Sequence, residues 1–311
     1  MKIIFMGTPE IAVPSLEHLI NASDIDVLAV VTQPDRPAGR GHKLVAPPVK
    51  VLAQEKNVEV YQTESIRKDA ELLNVLRGFD ADYFITVAFG QILSQEVLNI
   101  PKYGTINLHA SLLPEYRGAN PLQRAIVDGK KVTGVTTMLT ALALDAGDML
   151  LTKEIEITDS MTTPELGQLV AQSGGDLLEK TIFGYADGSI TPRVQDESRV
   201  TFAHKFKKED GLLSFDVEAR ELHNKIRGLL PSPSVSVAFG AERIKLVQSQ
   251  VIDEIAEGKS GEILKISKDG IEIQTKRGII LIEKLQPPSK KAMNAFDWAN
   301  GAKIVPNQIF Q

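Results

Sequence analysis

The sequence has no cysteine and only one tryptophan. Without cysteine, a disulfide scaffold, a thiol nucleophile, an iron–sulfur cluster and a cysteine-ligated zinc site are all excluded. Long apolar runs are also lacking: no window of about 18 apolar residues occurs, so no membrane span is expected. Residues 1–7 enter directly into a strand-like run instead of the longer apolar core of a secretory leader. We therefore expect a cytoplasmic protein.

Charge of neither sign is in large excess. The 311 residues carry a net charge of −5, and 43% of them are hydrophobic, as in a folded globular protein. The length favours two domains. Residues 206–311 contain 16 Lys and Arg against 14 Asp and Glu, a net of +2, so residues 1–205 carry −7. A nucleic-acid partner must then be bound by local basic patches and not by the overall charge.

The first 190 residues alternate between short apolar runs and helical patterns. This alternation predicts a Rossmann-like α/β domain, in which helices cover both faces of a parallel sheet. The predicted strands are 2–6, 27–31, 59–61, 83–88, 105–109 and 133–139. The predicted helices are 14–19, 49–56, 70–76, 121–127 and 173–186.

The pattern changes near residue 188. Residues 189–205 are polar and rich in turn formers, which is typical of a linker. A helix is predicted over 218–227, and short β runs follow at 235–239, 244–251, 261–266, 270–274 and 278–284. Such strands favour a small OB-like β-barrel. The sequence therefore predicts an α/β domain over 1–188, a linker over 189–205 and an OB-like domain over 206–311.

Dinucleotide and nucleotide motifs are missing. Ligands of open parallel sheets bind outside the carboxyl ends of the strands. After the first strand, the run Met-Gly-Thr-Pro-Glu at 6–10 lacks the Gly-x-Gly-x-x-Gly spacing, and the chain contains no Walker-type phosphate loop. A nicotinamide or flavin dinucleotide is therefore not expected.

The end of the predicted strand 105–109 is rich in polar groups. Asn107 and His109 lie two residues apart on an extended chain, so their side chains share one face and can stabilise an oxyanion. The alternative is that Asn107 caps the loop and His109 is structural. Asp145 follows the strand 133–139 and is either a turn former or a functional carboxylate. If adjacent strand ends converge, Asn107, His109 and Asp145 meet around one point.

The loop after the second strand, residues 32–48, is unusually long for such a fold. It carries Arg36, Arg40 and Lys43 against a single acidic residue, Asp35. Long loops often have a function, and the alternative here is a solvated, mobile loop.

These segments together resemble the methionyl-tRNA formyltransferase family, one branch of the folate-dependent formyltransferases. The matching stretches are residues 4–10, 32–41, 107–118 and 144–149, with a weaker match at 285–293. The Asn-x-His…Ser-Leu-Leu-Pro and Leu-Asp-x-Gly-Asp motifs are shared by the wider superfamily. The Gln-Pro-Asp-Arg-Pro-Ala-Gly-Arg-Gly loop and the C-terminal segment indicate the tRNA branch.

The resemblance implies transfer of a formyl group from 10-formyltetrahydrofolate to the α-amino group of initiator methionyl-tRNA, without a metal. It implies that Asn107, His109 and Asp145 are catalytic. It further implies that basic residues of the long loop and the C-terminal domain bind the tRNA, and we expect a monomer. The implied folate-binding residues are Ser111, Leu112, Leu113, Pro114, Phe89, Gly90, Gln91 and Ile92, and the implied tRNA-binding residues are Arg36, Arg40 and Lys43.

Some residues depart from the family pattern. Ala141 and Ala143 stand where an acidic residue and a glycine are usual. If that glycine requires a positive φ, Ala143 should shift or strain the loop and reduce folate affinity. Ala110 replaces a frequent proline, and Ser232 replaces a common tryptophan.

Two other functions are compatible with the sequence. The first is another enzyme of the superfamily, acting on glycinamide ribonucleotide or on an amino sugar-nucleotide. It would share the trio but would not need the basic loop or the second domain. The second is a non-catalytic RNA-binding protein, which only the altered residues Ala141 and Ala143 favour.

Overall fold

The structure is a computed structural model that describes residues 1–38 and 43–310. The contacts divide the chain into two compact units, each built from separate stretches. The first unit contains Met1–Gly118, Val132–Glu156 and Gly167–Phe202, and the second contains Ala119–Lys131, Ile157–Leu166 and Ala203–Gln311. The domain boundaries given by the sequence stay a prediction.

The helices and strands alternate over the first half of the chain. There they are β1 (Lys2–Gly7), α1 (Val13–Asn21), β2 (Asp26–Thr32), β3 (Arg36–Ala38), β4 (Lys43–Val45), α2 (Pro48–Glu55), β5 (Glu59–Gln62), α3 (Ala70–Gly78), β6 (Tyr83–Val87), α4 (Gln95–Leu98), β7 (Thr105–His109), β8 (Arg117–Gly118), α5 (Pro121–Val127), β9 (Val132–Leu139), β10 (Met149–Glu156) and α6 (Thr163–Ala186). Strands then dominate: β11 (Phe202–Ala203), α7 (Ala219–Gly228), β12 (Val235–Phe239), β13 (Glu242–Asp253), β14 (Ile263–Ser267), β15 (Gly270–Gln274), β16 (Ile279–Gln286), β17 (Met293–Asn294) and α8 (Ala295–Ala302).

The first unit is built on a sheet of order β10-β9-β7-β6-β1-β2-β5. The pairs from β5 to β7 are all parallel. Strands β1 and β6 are buried almost throughout, because a sheet covered on both faces must be apolar on both sides of each strand. The predicted Rossmann-like fold is confirmed.

The sheet is not parallel throughout, and this corrects the prediction for one strand. β9 pairs antiparallel with both β7 and β10. A β-branched run such as that of β9 carries no signal of its direction, which is set by the connection that precedes it. This reversal matters for the site, because Asp145 follows β9.

Helix α6 is longer than the predicted helix, which began at residue 173 and not at 163. Gly174 and Gly175, near its middle, are unfavourable residues in a helix interior. Both are required by packing. A Cβ on Gly174 would lie 2.5 Å from Ser15 Oγ and from Leu108 Cδ2, and one on Gly175 would lie 2.4 Å from His18 Cβ. The helix therefore approaches α1 and β7 more closely than any larger residue would allow.

The second unit contains an antiparallel sheet of order β12-β13-β16-β15-β14, with β17 paired to β16. The predicted C-terminal β domain is confirmed. The core of this unit is aliphatic, with an aromatic cluster at one side. Trp298 meets the Phe239 ring edge-on at 5.6 Å between centroids, and Phe310 lies 4.6 Å from Phe239. Within the described residues, no helix is both long and apolar enough to cross a membrane.

Candidate active site

Strand β7 places the amide and the imidazole of the candidate site. Asn107 and His109 lie on the same face of this strand, as the spacing of two residues predicts. Thr86, on the neighbouring β6, donates its hydroxyl hydrogen to Asn107 Oδ1 at 2.8 Å. Within residues 1–38 and 43–310, the Asn107 Nδ2 group has no acceptor. The amide is therefore oriented with its donor end available to a ligand.

His109 is 7% exposed and is fixed by a carbonyl group. Its Nε2 lies 2.9 Å from the carbonyl oxygen of Tyr116. A carbonyl can only accept, so Nε2 carries the hydrogen and the neutral ring has a lone pair on Nδ1. Nδ1 faces Asp145 Oδ2 at 3.6 Å. The carbonyl of Tyr116, and not Asp145, therefore selects the tautomer.

Asp145 reaches His109 by a different route from the one expected. The argument from adjacent parallel strand ends is wrong here, because β9 is antiparallel and its last residue, Leu139, pairs with Ile106 near the start of β7. The loop 140–148 returns the carboxylate to the site. Asp145 Oδ2 accepts a hydrogen bond from the backbone N–H of Gly118 at 2.8 Å. The loop thus brings Asp145 to His109, and Asn107 lies on the same face of β7 as His109.

The unusual backbone of this loop lies at the aspartate. Asp145 has a φ of +48°, whereas Ala143 is not among the residues with positive φ. A left-handed backbone is costly for most residues but is best tolerated by Asn and Asp among those with a side chain. The strain expected at Ala143 is therefore absent. Ser232, which also departs from the family pattern, lies in the second unit. Its backbone carbonyl accepts a hydrogen bond from Gln123 Nε2 at 2.9 Å.

The loop after β7 is held by its own hydrogen bonds. Ser111 donates its hydroxyl to the carbonyl of Glu115 at 2.6 Å. Thr136 of β9 donates to the carbonyl of Ser111 at 2.7 Å and accepts from Leu113 N at 3.2 Å. Ser111, Leu113 and Pro114 are buried and Leu112 is half-buried. These residues define the shape of the loop, and their side chains are largely inaccessible.

The loop after β6 presents one apolar side chain to solvent. Phe89 is buried in the core beside Phe84. Gln91 is engaged by the backbone: its Oε1 accepts from Ile66 N and its Nε2 donates to Thr63 O, both at 2.7 Å. Gly90, with a φ of +77°, is exposed, and Ile92 is 67% exposed. Ile92 and Gly90 are therefore the exposed residues among 89–92.

The described residues of the basic segment include a pair of short strands, β3 and β4, which we call the hairpin. β3 pairs antiparallel with β4, with Arg36 opposite Val45. Arg36 and Lys43 are both exposed, whereas Arg40 lies outside the described residues. Leu44 and Val45 add exposed apolar surface to the hairpin.

The one acidic group of this segment is already neutralised. Lys50 Nζ lies 2.8 Å and 3.0 Å from the two carboxylate oxygens of Asp35. Hydrogen bonds from Lys50 and then from Gln62 lower the pKa of Asp35 below its usual value of 3.8. The charges of Arg36 and Lys43 are therefore not cancelled by Asp35.

Some residues around the site were missed by sequence reasoning. Thr86, Tyr116 and Gln195 each bond to a member of the trio. Thr86 lies inside an apolar strand, Tyr116 acts through its backbone, and Gln195 belongs to the polar segment predicted as a linker. Thr86 and Gln195 carry no periodicity or motif that would distinguish them, and Tyr116 lies in the matching stretch 107–118, where its side chain does not reveal the role of its carbonyl.

The comparisons with known proteins agree with this fold. Residues 1–182 match the family model described as formyl transferase, and residues 205–303 match that of the formyl transferase C-terminal domain. The chain belongs to the formyl transferase family and is a formyl-group transferase.

Two relatives found by sequence comparison are methionyl-tRNA formyltransferases. The chain is 46% identical over 311 residues to methionyl-tRNA formyltransferase of Clostridium perfringens strain 13, which covers 100% of both chains. It is 45% identical over 304 residues to methionyl-tRNA formyltransferase of Clostridium novyi, which covers 98% of each. A solved N-formyltransferase of Helicobacter canadensis, in complex with folinic acid and dTDP-3-aminofucose, shares the fold. It has a TM-score of 0.64 at 19% identity and covers 92% of this chain and 99% of the other.

Proposed function

We propose that this enzyme transfers a formyl group from 10-formyltetrahydrofolate to the α-amino group of methionyl-tRNA. The product is the N-formylmethionyl-tRNA used to initiate protein synthesis, which would be made in the cytoplasm. The observation that carries the proposal is the identity of about 45% with methionyl-tRNA formyltransferases over the whole chain. We further propose that residues 1–188 bind folate and carry out catalysis, and that residues 206–311 help to hold the tRNA.

The nucleophile needs little activation. An α-amino group has a pKa of about 7.7 to 8.0, so a sizeable fraction is neutral at pH 7. Its nitrogen attacks the formyl carbon, and the carbonyl oxygen becomes an oxyanion. The Asn107 Nδ2 group, whose orientation is set by Thr86, is a preorganised donor for this charge. A protonated His109 would add a second donor at Nδ1, since Nε2 stays bound to the carbonyl of Tyr116.

The reaction also moves one proton. The attacking nitrogen loses a hydrogen, and the folate nitrogen gains one as its bond to the formyl carbon breaks. Asp145 is the base we assign to the first step, because its carboxylate lies 3.6 Å from His109 Nδ1 in a half-buried setting. His109 and Asp145 can pass the proton between them toward the leaving nitrogen. Such acid–base catalysis contributes about 10²- to 10⁴-fold.

The folate is assigned to the surface beside this trio. The loops 89–92 and 111–114 follow the adjacent strands β6 and β7, and the carboxyl ends of parallel strands are where such ligands bind. Ile92 offers an exposed apolar contact for a flat ring. Ser111, Leu112, Leu113 and Pro114, with Phe89, Gly90 and Gln91, are proposed to set the shape of the pocket.

One assay separates this function from the other acceptors. The purified enzyme should transfer the formyl group of 10-formyltetrahydrofolate to methionyl-tRNA, and it should not modify glycinamide ribonucleotide or an amino sugar-nucleotide. Transfer to either small acceptor at a higher kcat/KM than to methionyl-tRNA would contradict the proposal. Uncharged tRNA, which lacks the amino group, is the matched control.

We propose the hairpin, with Arg36 and Lys43, as a tRNA contact of the first unit, and we propose Arg40, which lies outside the described residues, as a further tRNA-binding residue. Replacing Arg36 and Lys43 with Ala should weaken tRNA binding. The slope of log Kd against log salt should fall by about 1.4 to 1.8 if both contact phosphates. Filter binding over a range of salt concentrations measures this slope.

A matched control removes the same types of residue from other elements. The variant Arg77→Ala with Lys180→Ala takes one arginine from α3 and one lysine from α6, both partly exposed on the surface. Its slope should equal that of the wild type. An unchanged slope in the Arg36→Ala, Lys43→Ala variant would contradict the proposal and show that the tRNA binds another surface.

A further inference from the structure

Gln195 binds the loop that carries Asp145. This glutamine lies outside every motif of the sequence, yet it is 4% exposed. Its Nε2 donates to the carbonyl oxygen of Asp145 at 2.8 Å and to that of Gly147 at 2.7 Å. Both amide hydrogens of one buried side chain are therefore used on two backbone groups of the same loop.

The orientation of this amide is imposed by Arg117. The Arg117 Nε group donates to Gln195 Oε1 at 3.0 Å, and Arg117 is itself 4% exposed. Arginine has donors and no acceptor, so only the oxygen of Gln195 can face it and the NH₂ group must face the loop. Arg117 is in turn held by Glu197, whose Oε1 accepts from Nη2 at 2.8 Å.

The same short segment also binds the carboxylate. Gly118, which follows Arg117, donates its N–H to Asp145 Oδ2. Asp145 is thus held at its side chain by Gly118 and at its backbone by Gln195. A backbone with a φ of +48° on a residue other than glycine persists only where the surrounding structure determines it. The two sets of bonds supply that restraint.

We propose that Gln195 is a positioning residue for formyl transfer, which fixes the loop so that the Asp145 carboxylate faces His109. The inference rests on the proposed role of Asp145. The Gln195 side chain bonds to backbone carbonyls of the loop and to neither the Asp145 carboxylate nor the His109 ring, so it acts through the backbone. Other bonds retain the base of the loop without it: Leu139 N donates to Asp148 O, and Met149 pairs with Arg193. Loss of Gln195 should therefore misplace the carboxylate and leave β9 and β10 folded.

The variant Gln195→Glu tests this directly. It is isosteric, keeps an acceptor for Arg117, and replaces the donor pair with an oxygen that the two carbonyls repel. A displacement of about 1 Å can cost roughly 10²-fold in rate, so kcat should fall about 10- to 100-fold. The KM values for folate and for methionyl-tRNA should change less than about two-fold, since ground-state binding is not removed.

A double-mutant cycle separates positioning from general destabilisation. Residues that act as a unit are not additive. With Asp145→Asn in place, adding Gln195→Glu should lower the residual single-turnover rate by less than about two-fold. A similar fall in both backgrounds would overturn the proposal, and so would a wild-type kcat in the single variant. If Asp145→Asn were itself fully active, the proposed role of Asp145 would fail first and the inference with it.

The chain offers a matched control in its second unit. Gln274 is 3% exposed and its Nε2 donates to the carbonyls of Ala256, Thr275 and Gly278. Gln274→Glu makes the same chemical change to a buried glutamine that binds backbone carbonyls. It should lower Tm, and any change that it makes in the single-turnover rate should be the same in the wild-type and the Asp145→Asn backgrounds.

If Gln195→Glu does not fold, Arg117→Lys releases the amide while keeping the charge beside Glu197. A loss of kcat that disappears with Asp145→Asn supports the proposal, and one that persists contradicts it.

Discussion

Replacing Asp145 with Asn lowers kcat for formyl transfer by about 10²- to 10⁴-fold, the range of a lost general acid–base group. Asparagine has the same shape but does not accept a proton at neutral pH. Its Oδ1 can take the place of Asp145 Oδ2, which both accepts the hydrogen bond from Gly118 and faces His109 Nδ1. Proton transfer between Asp145 and His109 is lost, while the geometry of the loop is preserved.

This substitution is well suited to the backbone of the site. Asn tolerates a positive φ at least as well as Asp, so a φ of +48° at residue 145 does not oppose the change. We therefore expect the KM for folate and the Tm to stay close to those of the wild type. Steady-state kinetics with saturating methionyl-tRNA gives kcat.

Asp80 provides the control for this variant. It is exposed, lies between α3 and β6, and has a φ of +49°. Asp80→Asn makes the same chemical change on a similar backbone, and it should leave kcat unchanged. Turnover by Asp145→Asn within about three-fold of the wild type would remove Asp145 from the acid–base role.

Replacing Asn107 with Ala is the second large expected effect. Loss of one oxyanion donor lowers kcat by about 10²- to 10³-fold. The side chain is half-buried, and Thr86 is the only partner of its oxygen within residues 1–38 and 43–310. The cost to stability is therefore about one hydrogen bond, roughly 1 kcal/mol. We therefore expect a large loss of kcat with only a small loss of unfolding free energy.

The measurement compares single-turnover rates with urea unfolding. Asn74→Ala, on the exposed face of α3, is the control and should change neither. If Asn107→Ala raised the KM for folate while kcat stayed the same, Asn107 would bind the ground state and would not stabilise the transition state.

Much of the fold could be read from local patterns. Strands β1, β6 and β7 are short apolar runs that end at turn formers, and the predicted bounds of β7 and α5 agree with the structure. Such runs are apolar because both faces of the sheet are covered. The direction of β9 and the packing role of Gly174 and Gly175 in α6 could not be read this way. Strand direction depends on the preceding connection, and the two glycines are explained only by the residues that pack against them.

The amino-acid sequence alone determined the chemical inventory of the site. An amide and an imidazole two residues apart on a strand must share a face, because side chains alternate along an extended chain. Tertiary structure decided how they are used. The tautomer of His109, the return of Asp145 from an antiparallel strand, and the hold of Gln195 on its loop all join residues between 7 and 50 positions apart. Contacts of that kind leave no local pattern, since each depends on where the rest of the chain has folded.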